Sequence, residues 1–212
     1  MLPLGKGELE LRDDRVVLRI LMNAASQINN LDVYRHDNGF VKILLGIHSG
    51  KQVRVHIWDR DFGQEMSSSI HSHRHPILSR VVLGAFKEER WLSALSGKAF
   101  RRYDFSPSLP GRMELTDSGV IRLRPAPTHT RQAGDVYSIP LNVFHAVRPL
   151  TIPTITVFTQ DLRLRSDGIV ASESQLEKLA RPSLMQTRDR AALHGIISKL
   201  ISETASKLGD TR

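Results

Sequence analysis

The 212-residue sequence contains no cysteine. This absence excludes disulfides, thiolate metal ligands, a cysteine nucleophile and any crosslink that starts from a thiol. No apolar run approaches the length that spans a bilayer, and the charged residues that soon follow positions 1–6 do not fit a signal peptide. We therefore expect a cytoplasmic protein without a membrane partner.

Aromatic residues are also scarce, at 6% of the chain, although the net charge is +8. Nucleic-acid binding needs basic residues clustered on one face, or aromatic side chains on which bases stack. Here the arginines are scattered, and no zinc finger, RNA-recognition signature or basic helix is present. We expect no nucleic-acid partner. The charge fits a solvated basic surface or the attraction of a small anionic substrate.

The linear motifs of several enzyme classes are missing. The chain has no Gly-x-Ser-x-Gly elbow, no Walker loop and no Gly-x-Gly-x-x-Gly. Sites assembled across a fold leave no linear motif, so these absences exclude little by themselves.

Histidines are the most informative residues that the chain does contain. Residues 70–75 read Ile-His-Ser-His-Arg-His, and His145 follows in a later segment. Residues 68–75 are predicted to form a strand. Alternate side chains of an extended strand share a face, so we predict that His71, His73 and His75 project together. Imidazole is the commonest protein ligand for borderline divalent metals. We therefore predict a metal site, with His75 as a fourth ligand, as a group that orients the ligands, or as a half-exposed strand end.

The residues around the first histidines resemble the first motif of the cupin superfamily, Gly-x5-His-x-His-x3-4-Glu-x6-Gly. His71, His73 and Gly84 stand at the spacings of that motif. Ile77 occupies the place of the glutamate, and Glu65 occupies the place of the leading glycine.

The residues before the last histidine resemble the second cupin motif, Gly-x5-Pro-x-Gly-x2-His-x3-Asn. Gly134, Pro140 and His145 match it, Asn142 replaces the second glycine, and no asparagine follows the histidine. Together the two motifs cover about residues 40–162. The resemblance implies a β-barrel whose interior binds a divalent metal through His71, His73 and His145.

Related cupins commonly add a glutamate ligand, which Ile77 removes here. A charge-neutral site of three histidines resembles that of the cysteine-dioxygenase-like thiol dioxygenases, in which iron(II) takes both substrate and O2. Gln160 stands about where that family has its catalytic tyrosine, and Phe158 about where it has a supporting histidine. The substrate of that family is therefore not carried over.

Pocket residues are predicted on the segment 53–58, where Arg54, His56 and Trp58 share one face. If that face is interior, a cation, an imidazole and an indole line a pocket for an anionic or aromatic ligand; if it is exterior, they form an ordinary polar face. Both interpretations are open. The candidate catalytic residues are Arg54, His56, Tyr137 and Gln160, with Arg80 as a further pocket candidate. Four other histidines are predicted to face solvent: His36, His48, His129 and His194.

The strand-rich pattern predicts a mainly β fold, a cupin-type double-stranded β-helix barrel with N-terminal and C-terminal α-helices. We predict an N-terminal helical segment at 1–38, the barrel at 39–162 and a C-terminal helical extension at 163–212.

Periodicity predicts a helix at 13–29 and another at 191–208, whose apolar stripe packs on the barrel exterior or mediates a homodimer. A short helix is predicted from the capping pattern at 172–175. Residues 106–118 hold two prolines and a glycine and are predicted to form a long loop over the barrel mouth.

The leading functional hypothesis is an Fe(II) oxygenase that acts with O2 on a small organic substrate, of which an anionic one is an open alternative. One alternative is an isomerase or lyase that uses zinc, nickel or manganese as a Lewis acid. Another is a regulatory cupin that holds a ligand without turning it over.

Overall fold

The computed structural model describes residues 11–36, 38–48, 50–62, 68–109, 112–163, 168–176 and 183–209. Within these ranges the chain forms two antiparallel β-sheets and two α-helices. The predicted class, mainly β with a helix toward each end, is confirmed.

Helix α1 spans Asp14–Gln27 and helix α2 spans Thr187–Gly209. The first sheet contains, in spatial order, β13 (Ser183–Leu184), β1 (Asp32–His36), β2 (Phe40–His48), β3 (Lys51–Trp58), β11 (Thr154–Asp161), β5 (Ile77–Leu83) and β9 (Val136–Ile139). The second sheet contains β10 (Phe144–Pro149), β4 (Ile70–His71), β12 (Gly168–Ser172), β6 (Ala85–Leu109) and β7 (Arg112–Pro125), with β8 (His129–Gln132) paired to β6.

The first sheet is buried on both faces. Its strand β11 is therefore buried along almost its whole length, and β3 is buried from Val53 onward except at Arg54. Its outer face is aliphatic and packs against both helices: Val41, Ile43, Val53, Val55, Ile57, Ile155 and Val157 meet Ile20, Leu21, Leu193 and Ile197 in one core. The prediction that the C-terminal helix packs on the barrel exterior is confirmed. The inner face of the first sheet carries more polar side chains, and it faces the second sheet.

The second sheet closes on itself around one very long strand. The first part of β6 pairs with β10, and a later part pairs with β12. Between β10 and β12 lies β4, whose His71 pairs with His145 on one side and Val170 on the other. This closure places the two histidine-bearing segments side by side.

The two sheets meet through their inner faces. Trp58 of the first sheet packs with Phe86 and Val147 of the second, and the rings of Trp58 and Phe86 lie 6.1 Å apart between centroids. Aromatic side chains therefore line part of the interior between the sheets, the same interior in which the histidines lie.

Two sequence predictions were wrong. Residues 106–118 are not a loop over the barrel mouth: β6 runs to Leu109 and β7 starts at Arg112, and the two strands pair, with Phe105 opposite Leu115. Proline and glycine suggested a loop, but the cross-strand pairing of β6 with β7 outweighs them. The strand predicted at 68–75 is also much shorter, since β4 covers only Ile70–His71 and the chain bends at 74–75.

The short helix predicted from 172–175 is not seen at its start, where Ser172 ends β12. Its remainder falls largely on 177–182, which lie outside the described residues. Strands from beyond 39–162 also join both sheets: β1 pairs with β2, and β12 pairs with β4 and β6.

Candidate metal centre

Three imidazoles converge between the sheets. The ligand nitrogens of His71, His73 and His145 all lie within 4.8 Å of one another, and Nε2 of His73 lies 2.8 Å from Nε2 of His145. The ring centroids are 4.6–4.9 Å apart. His145 is 4% exposed, and the other two rings are half-buried.

These distances fit a bound divalent ion. Two nitrogens that each lie about 2.1 Å from one ion at a right angle are about 3 Å apart, close to the separation of the His73 and His145 nitrogens. Three neutral imidazoles are a donor set that borderline first-row metals accept. The group can therefore hold a divalent metal.

A backbone carbonyl fixes the orientation of one ring. Nδ1 of His71 lies 2.8 Å from the carbonyl oxygen of Ser69, to which it donates. That bond leaves Nε2 of His71 with its lone pair available, the arrangement that metal-binding histidines commonly use.

Burial keeps all three rings neutral. It is the largest cause that lowers the pKa of His71, His73 and His145, and the mutual repulsion of the rings lowers it further for His73 and His145. For His71 the bond to Ser69 opposes this effect. Neutral rings at pH 7 present lone pairs rather than protons to an ion.

Turns with left-handed backbone conformations stand at the cupin motif positions. Gly84 has φ +80° and Gly134 has φ +98°. Asn142, which replaces a motif glycine, is the only non-glycine residue of the described chain with positive φ, at 63°. Asparagine tolerates this conformation better than other side chains do. The asparagine can therefore adopt a left-handed conformation in the loop that leads into His145.

His75 lies outside the group of three. Because the chain bends at 74–75, the strand alternation that was predicted to align His75 with His71 and His73 does not extend to it. His75 is half-buried, and its predicted role as a fourth ligand remains a prediction.

The strand β3 directs Arg54, His56 and Trp58 to the interior, which decides between the two interpretations of that face. His56 is 8% exposed and lies 4.9 Å from the Phe158 ring, which in turn lies 5.9 Å from the ring of His73. The guanidinium of Arg54 lies 5.6 Å over the same phenyl ring. The Arg54 guanidinium and the neutral His56 ring therefore both lie beside the Phe158 ring, which separates them from the three histidines.

Arg54 is a cation without a carboxylate partner within the part of the chain described here. Its Nε donates to Oε1 of Gln52 at 2.9 Å. Burial lowers the pKa of Arg54 to about 10, so that it remains charged at pH 7. A half-buried guanidinium bonded only to an amide is suited to an anionic ligand.

Tyr137 and Gln160 also face the interior. Tyr137 packs 5.8 Å from the ring of Phe86, and burial raises its pKa, so the phenol stays protonated. Gln160 is 7% exposed, and its Oε1 has no hydrogen-bond partner among the described residues. Arg80, by contrast, lies on the outer face, where Nη1 donates to the carbonyl oxygen of Leu11 at 2.9 Å and anchors the start of α1.

Sequence reasoning missed a second polar group in the interior. Glu88 is fully buried between Arg90 and Arg131. The only signal was the alternation of Glu88 and Arg90 along one strand face, which also fits an exposed strand. The sequence analysis also predicted that His36 faces solvent. In the structure His36 is half-buried, and its ring stacks on that of Phe40 with 4.5 Å between the centroids.

Two facing antiparallel sheets that enclose three histidines at motif positions define a cupin-type fold, and the cupin resemblance is confirmed at this level. Among solved structures the chain matches an RmlC-like cupin from Shewanella frigidimarina, with 18% identity, 64% of this chain and 87% of that chain covered, and a TM-score of 0.35.

An oxalate decarboxylase from Lactobacillus farciminis, solved as a formate complex, matches at 17% identity over 66% of this chain and 33% of its own, with a TM-score of 0.40. Drosophila melanogaster CENP-C bound to CAL1 matches at 13% identity over 72% of this chain and 98% of its own, also with a TM-score of 0.40. No family profile and no curated protein gives a significant match. Superpositions this loose carry no information on activity.

Neither helix in the described part of the chain combines the length and the apolar character that crossing a bilayer requires.

Proposed function

We propose that this protein is a metal-dependent cupin enzyme, an Fe(II) oxygenase that acts on a small anionic organic substrate. The observation that carries the proposal is the convergence of three neutral imidazoles, with Nε2 of His73 and Nε2 of His145 only 2.8 Å apart. Ile77 faces this interior where other cupins have a glutamate, and it is 4% exposed. Three ligands leave about half of the positions of a six-coordinate ion open.

Iron(II) held there would supply the activation of O2 beside a bound substrate. In our proposal Arg54 binds the anionic group of the substrate, and His56 borders the same space as a neutral ring. Tyr137 contributes a protonated phenol, and Gln160 contributes an amide whose carbonyl oxygen is free to accept a hydrogen bond. The aromatic side chains of Trp58, Phe86 and Phe158 line the interior and would keep water away from an ion held by the three rings.

The same charge-neutral ligand set favours a second candidate, a non-oxidative lyase or isomerase. Among the described residues no carboxylate joins the three rings to reduce the charge of a bound ion, so zinc, nickel or manganese there would act as a strong Lewis acid toward an anionic substrate. The identity of the bound metal separates the two candidates.

The test is elemental analysis of the purified protein and of the variant His73→Ala. We expect close to one divalent ion per chain in the wild type and a nearly complete loss in the variant, because removal of one of three ligands leaves two. His194→Ala is the matched control, since it removes an exposed imidazole from α2. Unchanged metal content in His73→Ala would contradict the site.

Oxygen uptake then separates the reactions. Iron in the purified protein, with O2 consumption in the presence of small carboxylic acids, supports the oxygenase. Zinc, nickel or manganese without O2 consumption supports the second candidate. A metal-free protein that retains a bound ligand after purification would contradict both and favour a regulatory cupin.

A further inference from the structure

Glu88 is the only carboxylate that is fully buried within the described residues. Nε of Arg90 donates to Oε1 of Glu88 at 2.7 Å, and Nε of Arg131 donates to Oε2 at 2.9 Å. A buried carboxylate stays ionised only when its charge is paired and its oxygens accept hydrogen bonds. The three side chains therefore form a triad with one excess positive charge.

The triad joins the two sheets. Glu88 and Arg90 lie on β6 and Arg131 lies on β8, all in the second sheet. The guanidinium of Arg131 lies 4.9 Å over the ring of Tyr137, and Nη2 of Arg90 donates to the carbonyl oxygen of Ser138 at 3.2 Å. Both of these partners belong to β9 of the first sheet. The Glu88 carboxylate thus binds the guanidiniums of Arg90 and Arg131, and each guanidinium contacts the first sheet across the interior.

Arg90 also stands beside the metal group. Its Cα is paired with that of His145 across β6 and β10, so the two side chains share a face at the close spacing of a cross-strand pair. The charge of Arg90 therefore reaches the place where an ion would bind.

We propose that Glu88 is a positioning residue for the metal centre: its carboxylate holds the guanidinium of Arg90 against β9 and balances its charge, so that a divalent cation can bind beside it. This inference rests on the proposed metal function. Without the carboxylate, Arg90 becomes an unbalanced and mobile cation next to His145, and it repels the ion. Loss of a residue that supports metal ligands typically weakens metal affinity about ten- to a hundredfold.

The test is titration of the metal-free protein with cobalt(II), followed by the visible absorption of the bound ion. We expect Glu88→Gln, which keeps the shape of the side chain but removes its charge, to bind cobalt at least about tenfold more weakly than the wild type. The matched control is Glu89→Gln. Glu89 is the next residue of β6, points to the opposite face and pairs with Arg148 at 3.2 Å, and its replacement should leave cobalt affinity unchanged.

A second variant separates positioning from a merely structural role. In Glu88→Gln/Arg90→Met the loose cation is gone, so we expect cobalt affinity and the cobalt spectrum to return to those of the wild type. Urea unfolding of both variants, measured alongside, shows whether cobalt affinity follows the stability of the fold or the charge of residue 90. If Glu88→Gln does not fold, weak cobalt binding by the double variant would still overturn the proposal.

The proposal is overturned if Glu88→Gln binds cobalt as tightly as the wild type, or if the double variant binds it as weakly as a damaged site. Those results leave the metal centre itself intact, because the wild type still binds cobalt. Failure of the wild type to bind cobalt is the distinct outcome that overturns the metal function and the role of Glu88 together.

Discussion

At the scale of single residues, Gly84 in the turn between β5 and β6 cannot be replaced by a larger residue without strain. A Cβ built on Gly84 would lie 2.7 Å from the carbonyl oxygen of Pro153 and closer still to Oγ1 of Thr154. No side chain fits there, and φ at Gly84 is +80°. Gly84 is therefore required both by its backbone conformation and by the close approach of the chain that precedes β11.

We expect Gly84→Ala to destabilise the protein by about 2–4 kcal/mol, because backbone strain adds to a steric clash. Gly119→Ala is the matched control: its φ is +88°, but nothing lies within 4 Å of the added Cβ, so it should lose only about 1 kcal/mol from strain. Urea unfolding of both variants measures the difference. Equal losses would show that the contacts around Gly84 relax freely.

The ligand residues themselves were predictable from the sequence. His71, His73 and His145 stand at motif spacings, and the structure brings these three together. The buried triad was not predictable, because a charged residue on a strand normally faces solvent. Glu88 can be buried because Arg131 of β8 donates a hydrogen bond to its carboxylate. Arg131 lies more than forty positions later in the sequence, so no local pattern reveals the pair.

At the scale of elements, Arg190 of α2 closes the C-terminal end of α1. Its Nη1 donates to the carbonyl oxygens of Ile28 and Leu31 at 2.7 and 2.8 Å, and its Nε donates to that of Met185 at 3.1 Å. The last carbonyls of a helix have no partner within the helix. Arg190 satisfies the carbonyl of the cap residue Ile28, and through Leu31 it also holds the segment between α1 and β1, so it ties the two helices together.

We expect Arg190→Ala to lower the free energy of unfolding by about 2–4 kcal/mol, since it leaves carbonyls without a charged donor. Arg188→Ala, which removes a guanidinium whose side chain is 88% exposed on the same helix, should change it by less than about 0.5 kcal/mol. Chemical denaturation compares the two. A similar small effect in both would contradict the capping role.

Helix α1 was predicted nearly correctly because its signals are local. Asp13 accepts a hydrogen bond from the backbone N–H of Arg15 at 2.8 Å, and apolar residues recur at helical spacing. The strand at 68–75 was overestimated because alternating histidines suggest a strand whatever their partners are. Its actual length depends on β10 and β12, whose positions no local pattern reveals.

At the scale of the whole molecule, burial of neutral histidines makes stability depend on pH. Burial is the largest cause that lowers the pKa of His36 to about 3, and it lowers that of His56 well below its usual value. The unfolded chain, in which histidine has a pKa of about 6.5, therefore takes up protons first as the pH falls. Stability is complete above about pH 6.5 and is lost progressively toward about pH 3.

We expect His36→Asn to flatten this dependence between pH 6 and pH 4, by up to about 1.4 kcal/mol per pH unit, because one proton fewer is taken up on unfolding. The new amide can still accept the N–H of Asn38, which now bonds to Nδ1 of His36 at 3.2 Å. The exposed His194→Asn is the control and should leave the slope unchanged. Urea unfolding at several pH values measures it, and an unaltered slope in His36→Asn would contradict the prediction.

The layered arrangement of the molecule was only partly predictable. Strand periodicity and the cupin motifs indicated a β-barrel with helices, and the structure confirms that class. Which face of β3 looks inward was left open by the sequence, because Arg54 and His56 suit solvent as well as a pocket. The aliphatic alternate residues Val53, Val55 and Ile57 decide it by packing against the helices.

The shortness of β4 has a consequence for biosynthesis. His71 is held in its sheet by two neighbours, and one of them, Val170, belongs to β12 near the C-terminal end of the described chain. A nascent chain that has been synthesised as far as His145 contains all three proposed ligands. It still lacks β12, the strand that pairs with His71. We therefore expect the proposed site to bind an ion only after β12 has been synthesised, so that a fragment ending before residue 168 is isolated without metal.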